Sequence, residues 1–191
     1  GGRAFTANSC LASEYSWVQN GTTTAPSLYM NLNYPAGSTA SEGNSGPAGT
    51  CAKSNKACFA YNYGYNAAAY AFARGASSTM WWLDIETGNS WSKTQSLNDD
   101  VIEGATDYIQ QHGATAGVYS TAYMWKTIAG SSFRPGMIPI PGGAQVGTLV
   151  TANWIPGGSS SSCAGVAPLY TSGQVWLAQY SSSPFDADYA C

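Results

Sequence analysis

Residues 80–87, Met-Trp-Trp-Leu-Asp-Ile-Glu-Thr, constrain the fold of this chain more than any other stretch. They read as a buried strand that ends in two carboxylates and stops at Gly88-Asn89-Ser90. Side chains alternate along a strand, so Trp82, Asp84 and Glu86 share one face, and Trp81, Leu83 and Ile85 share the other. The second face is wholly apolar and suits packing against helices. Two acids on one face at the end of such a strand are costly unless paired, hydrogen-bonded or used.

Around this strand the pattern alternates strand and helix. Residues 7–19 read as a helix capped by Asn8 or Ser9, and 27–33 as a strand. Residues 36–57 are rich in Gly, Ser and Pro, but a Cys51–Cys58 staple makes them an ordered loop. Residues 60–74 are alanine-rich and helical up to Gly75. A second clear helix opens with Asn98 as cap and acids in its first turn, and runs to about 111–113. Then follow a strand at 116–121, a short helix at 124–129, a Pro/Gly loop at 135–143, and strands at 148–155 and 174–180. Such alternation is the signature of a parallel α/β sheet with right-handed crossovers, whose working groups sit at the carboxyl ends of the strands. At 191 residues the chain is read as one domain, residues 1–191.

Composition narrows the function. With 13% aromatic and only 9% charged residues, the chain is globular rather than disordered. A net charge of −3 gives no basic footprint for nucleic acid. No apolar run reaches the ~20 residues of a membrane helix. The five cysteines show no zinc spacing and there is one histidine, so neither metal nor cofactor is expected. Few lysines and many Ser, Thr, Asn and Tyr fit a secreted protein in which disulfides form. Cys51–Cys58 is the first pairing expected and Cys163–Cys191 the second, which leaves Cys10 over. The oligomeric state is not legible.

The ten acids can be sorted singly. Asp99, Asp100, Glu103 and Asp107 read as the solvated face of the second clear helix. Glu14 falls on a helix surface and Glu42 in a loop. Asp84, Glu86, Asp186 and Asp188 remain, the last two read either as turn formers or as a second acidic rim. No nucleophilic triad or phosphate loop is present. Carboxylates with aromatics point to glycoside chemistry, with rings stacking on sugars. Trp82, Trp91, Tyr119, Trp125, Trp154 and Trp176 are candidate ring faces.

At Trp82-Leu83-Asp84-Ile85-Glu86 the chain resembles the lysozymes of glycoside hydrolase family 25, whose fourth barrel strand ends in Asp-x-Glu. The similarity continues through residues 67–72, Gly117-Val118-Tyr119-Ser120, Thr151-Ala152-Asn153-Trp154, Trp176-Leu177-Ala178-Gln179-Tyr180 and Phe185-Asp186, covering roughly 60–191. The resemblance implies a (β/α)8 barrel-like (TIM-type) α/β fold, incomplete or modified at the N-terminus. It implies a retaining muramidase acting on a polysaccharide, with Glu86 as general acid. Asp84 would orient the acetamido group or stabilise charge, and Asp186 would add negative potential. Trp82, Tyr119, Trp154, Trp176, Gln179 and Asp188 would bind substrate.

The family's opening Asp-Val-Ser strand has no counterpart here, and about six strands can be counted where a closed barrel uses eight. A preceding segment supplying two strands and a cysteine is therefore expected. Two other readings stay open, a non-catalytic carbohydrate-binding or cell-surface module on a decayed barrel and a glycosidase for a different glycan.

Overall fold

The computed structural model describes residues 3–164 and 171–191. In chain order these form α1 (Leu11–Gly21), β1 (Leu28–Asn31), a 3-10 turn, the two-residue strands β2 (Ser45–Gly46) and β3 (Gly49–Thr50), α2 (Lys56–Phe72), β4 (Met80–Asp84), α3 (Gln95–Gln111), β5 (Thr115–Tyr119), α4 (Ala122–Ile128), β6 (Ala152–Ile155), a second 3-10 turn, β7 (Gln174–Ser182) and β8 (Phe185–Ala190). Among the described residues the main sheet has six strands in the order β1-β4-β5-β6-β7-β8, and β2 pairs only with β3. In the main sheet β1, β4, β5, β6 and β7 run parallel, and β8 turns back antiparallel on β7. The architecture is a mixed α/β fold on a curled half-barrel sheet. The eight-stranded closed barrel implied by the resemblance is not formed by the described residues, because β1 and β8 end the sheet instead of pairing around it.

The predicted alternation on β4 is realised. Trp81, Leu83 and Ile85 enter the core with Met30 of β1, Val118 of β5, Ala60, Tyr63 and Ala67 of α2, and Val101, Ile102, Ala105 and Ile109 of α3. α2 starts where Asn55 accepts from the Cys58 N–H at 3.1 Å, a side-chain N-cap. α2 and α3 cross where both are bare. A Cβ at Gly64 would collide with the Val101 carbonyl, and one at Gly104 with that of Tyr61, so the close approach needs glycine at both points.

Two readings of α3 are overturned. Thr94, not Asn98, stands at its N-cap, and Asn98 is fully buried, bonding the Ser92 N–H, the Ser92 carbonyl and the Ile128 carbonyl. Glu103 and Asp107 are not on a solvated face; both are 0% exposed. The long connection between α4 and β6 covers them. Glu103 accepts the backbone N–H groups of Gly136 and Ile138, each at 2.8 Å, and Asp107 accepts the Tyr61 hydroxyl at 2.5 Å. Gln110 grips the far end of that connection through the Thr148 N–H and carbonyl. α3 thus clamps the chain just before β6.

Both expected disulfides are present, Cys51–Cys58 and Cys163–Cys191, and Cys10 is free and exposed. Among the described residues no helix is long and apolar enough to cross a membrane.

Candidate active site

Strand register assembles the site. Residues paired across parallel strands share a face, so one row runs Tyr29, Trp82, Gly117, Ala152 and the next runs Asn31, Asp84, Tyr119, Trp154. Both rows face away from the helical layer. The second row lies at the carboxyl ends of the parallel strands, where open α/β sheets bind ligands. A hollow of about 310 Å³ opens there, lined by Tyr29, Asn31, Asp84, Glu86, Tyr119, Trp154 and Gln179. Trp82 lies buried beneath it and meets Trp154 edge-on at 5.7 Å, and Trp154 in turn meets Tyr119 at 4.7 Å. Trp82 has room because Gly117 beside it carries no side chain; a Cβ there would strike the indole.

Glu86 lies two residues past the end of β4, and the turn that follows fixes it. Its carbonyl accepts the Asn89 N–H at 3.1 Å and the Trp91 indole N–H at 2.8 Å, while the Ile85 N–H reaches the Tyr119 carbonyl at 2.9 Å. Trp91 therefore braces the acid-bearing turn and does not line the hollow. Trp125 is a core residue, 1% exposed and stacked on Phe133.

Asp84 is 6% exposed, and its Oδ1 is buried with no hydrogen-bond partner among the described residues. Burial pushes its carboxyl up to about 7, the adjacent Glu86 pushes the same way, and the Asn89 amide pulls back. Glu86 is half-buried and closer to solvent. Burial also raises the Tyr119 hydroxyl, to about 12, and the charges of Glu86, Asp84, Asp186 and Asp188 add to this in that order. All four acids singled out in the sequence thus lie within electrostatic reach of one ring.

The tail reaches the site through β8. Asp188 pairs with Gln179 and Asp186 with Ser181, so both acids share the inner face with Gln179. Asp188 Oδ1 accepts the Trp154 indole N–H at 2.7 Å. Its carboxyl is raised by burial, lowered by that indole and raised by Asp186. Asp186 is exposed and lies outside the hollow's lining.

Trp176 is not brought to the hollow. Trp154 pairs with Leu177, so Leu177 shares the inner face and alternation holds Trp176 beside it on the outer one. Sequence reasoning also missed Tyr29 and Asn31. The alternation of Leu28-Tyr29-Met30-Asn31 was visible, but its alignment with Trp82 and Asp84 was not.

Comparison with known proteins bears on the central part of the chain. A family model described as lysozyme-like protein 1 matches residues 50–136, which carry Asp84, Glu86 and Tyr119. Over 88 residues the chain is 38% identical to a probable glycoside hydrolase family 25 lysozyme of Dictyostelium discoideum, a stretch covering 44% of this chain and 35% of that protein. The chain thus matches about a third of the length of that relative. No solved structure matches it. These findings support a relationship to the family 25 lysozymes.

Proposed function

From that relationship and the site's geometry, we propose that the chain is a secreted glycoside hydrolase of muramidase type, acting on the polysaccharide of bacterial cell wall. One observation carries the reading: Asp84 and Glu86 stand together at the carboxyl end of a central parallel strand, before a hollow walled by Tyr29, Tyr119 and Trp154. Glu86, the more accessible acid, donates a proton to the leaving glycosidic oxygen. Asp84 keeps its own proton to near neutrality, and from its buried position it orients the acetamido group by hydrogen bonding. Asp186 and Asp188 add negative potential against the oxocarbenium-like transition state. Tyr119, Trp154 and Gln179 hold the sugar, with Trp82 as the support beneath and Trp176 outside this role. The two disulfides favour export.

A second reading, a non-catalytic glycan-binding module, draws on the open sheet, which leaves Tyr29 on the rim 61% exposed. Incubating the protein with purified peptidoglycan, chitin, an arabinan and a galactan, and measuring new reducing ends, separates the readings. Release from peptidoglycan alone supports the muramidase. Release from another polymer alone reassigns the substrate, and adsorption with no release from any polymer supports the binding module.

A further inference from the structure

The outer face of the β7–β8 hairpin carries rings that the hollow does not use. The pairs Ala178 with Tyr189, Tyr180 with Ala187 and Ser182 with Phe185 set Tyr180, Tyr189 and Phe185 on the side opposite Gln179 and Asp188. Alternation along β7 puts Trp176, next to the inward Leu177, on the same side. Trp176 is 42% exposed, Tyr189 38% and Phe185 77%. Tyr180 stacks on Tyr189 with ring centres 4.3 Å apart. Among the described residues the core cluster takes nothing from β7 or β8; Gly158 lies against Ala178, which is fully buried, and the rings of Trp176, Tyr189 and Phe185 stay exposed. The rings alternate between the two strands and form a ridge six strand residues long, about 20 Å.

We propose that this ridge is a second glycan-binding surface, which holds a linear stretch of the polymer beside the cleft. None of the hairpin residues on that face is charged, because Asp186 and Asp188 both point inward. Flat rings suit the C–H faces of sugars, and the hydroxyls of Tyr180, Tyr189 and Ser182 can bond sugar hydroxyls. The ridge is long and one hairpin wide. Its exposed ring area, on the order of a few hundred Å², falls short of the roughly 800 Å² per partner of a stable protein interface. It is also the reverse of the hairpin that carries Gln179 and Asp188 on its inner face, so only the edge strand β8 separates it from the proposed site. A polymer held outside is thereby kept within reach of the cleft. The choice of polymer rests on the glycosidase reading, but the binding claim does not.

The test is adsorption to insoluble peptidoglycan, and to insoluble chitin in parallel, using full-length protein that carries Glu86→Gln so that hydrolysis cannot confuse the readout. The double variant Tyr189→Ser/Phe185→Ser is made in that background and in the active enzyme. Trp176→Ala is tested for adsorption alone. These side chains are exposed, and an unchanged melting curve confirms the fold. The proposal expects adsorption of the double variant to fall tenfold or more, with hydrolysis of a short soluble oligosaccharide unchanged. Adsorption equal to the parent would overturn it, as would a double variant that alters only sedimentation, which would mark a contact between copies of the chain. Ridge-dependent adsorption without hydrolysis by the active enzyme would uphold the ridge and sink the glycosidase reading. Hydrolysis with ridge-independent adsorption would do the reverse.

Discussion

The indole N–H of Trp154 donates to Asp188 Oδ1 at 2.7 Å, so a side chain of β6 bonds one of β8 across the intervening β7. Tyr119 of β5 bonds Gln179 of β7 at 2.9 Å, passing over β6. Two strand spacings amount to about 9.6 Å in a flat sheet. Both bonds lie on the inner face, and both are made possible by the sheet curling toward it. The curl is what turns a row of strand ends into a hollow.

Trp154→Phe keeps a ring and deletes the N–H. Asp188 is partly exposed, so the stability loss is modest, about 1 kcal/mol, or about 2–4 °C in melting temperature for a chain of this size. The larger effect falls on substrate binding, with KM rising while the fold persists. A calorimetric scan with steady-state kinetics checks both, and an unchanged KM would remove Trp154 from the site.

Buried acids set the pH dependence of stability. Burial raises Glu103 from 4.5 to about 8, Asp99 from 3.8 to about 7, Asp84 from 3.8 to about 7 and Asp100 from 3.8 to about 6. In each case the folded chain holds its proton more tightly than the unfolded chain, so stability is fully present at acid pH and is lost as pH rises through the folded values. The melting temperature should peak near pH 4–5 and decline towards pH 8. Glu103→Gln removes one of these titrations at the cost of a backbone bond, about 1 kcal/mol. It should melt lower than wild type at pH 5 and close the gap by pH 8; parallel curves would contradict the assignment.

These acids also show where the sequence stopped being informative. The face of β4 was legible because alternation is a property of the strand itself, and Asp84 and Glu86 followed from it. The fate of Glu103 and Asp107 was not, since α3 is covered on that side by residues 136–148, some thirty positions on, and helical pattern says nothing about a loop that folds back. Trp176 was misassigned for a related reason. It stands three positions before Gln179, so alternation sets the two on opposite faces, and only the pairing of Trp154 with Leu177 shows which face lines the hollow. Tyr29 and Asn31 needed the β1–β4 register, another long-range fact.

Hydrolysis should carry its own pH signature. Asp84 is protonated below about 7, and in the proposed mechanism its neutral form accompanies the active site. kcat should therefore decline as pH rises through that value, in addition to the loss that follows when the general acid Glu86 gives up its proton. Asp84→Asn should lower kcat and remove the part of the alkaline decline that belongs to Asp84, leaving the part set by the general acid Glu86; a pH–rate profile over pH 4–9 should therefore change shape, and identical shapes would contradict the role given to Asp84.

Of the two disulfides, Cys163–Cys191 closes the longer loop, with 28 residues of separation against 7 for Cys51–Cys58. Chain entropy assigns it about 3–4 kcal/mol and the shorter one about 2.5 kcal/mol. Cys191→Ser should thus cost more stability than Cys51→Ser, and it should loosen β8, which bears Asp186 and Asp188. Denaturant melts and limited proteolysis near the C-terminus measure both effects; equal losses would contradict the ranking.

The most direct measurement is reducing-end release from purified peptidoglycan by wild type and by Glu86→Gln, with melting curves recorded alongside. The account predicts that the amide, alike in shape but unable to give up a proton, lowers the rate by about 10²–10⁴-fold and leaves the melting temperature within a few degrees. A Glu86→Gln protein that releases sugar as fast as wild type would contradict the account.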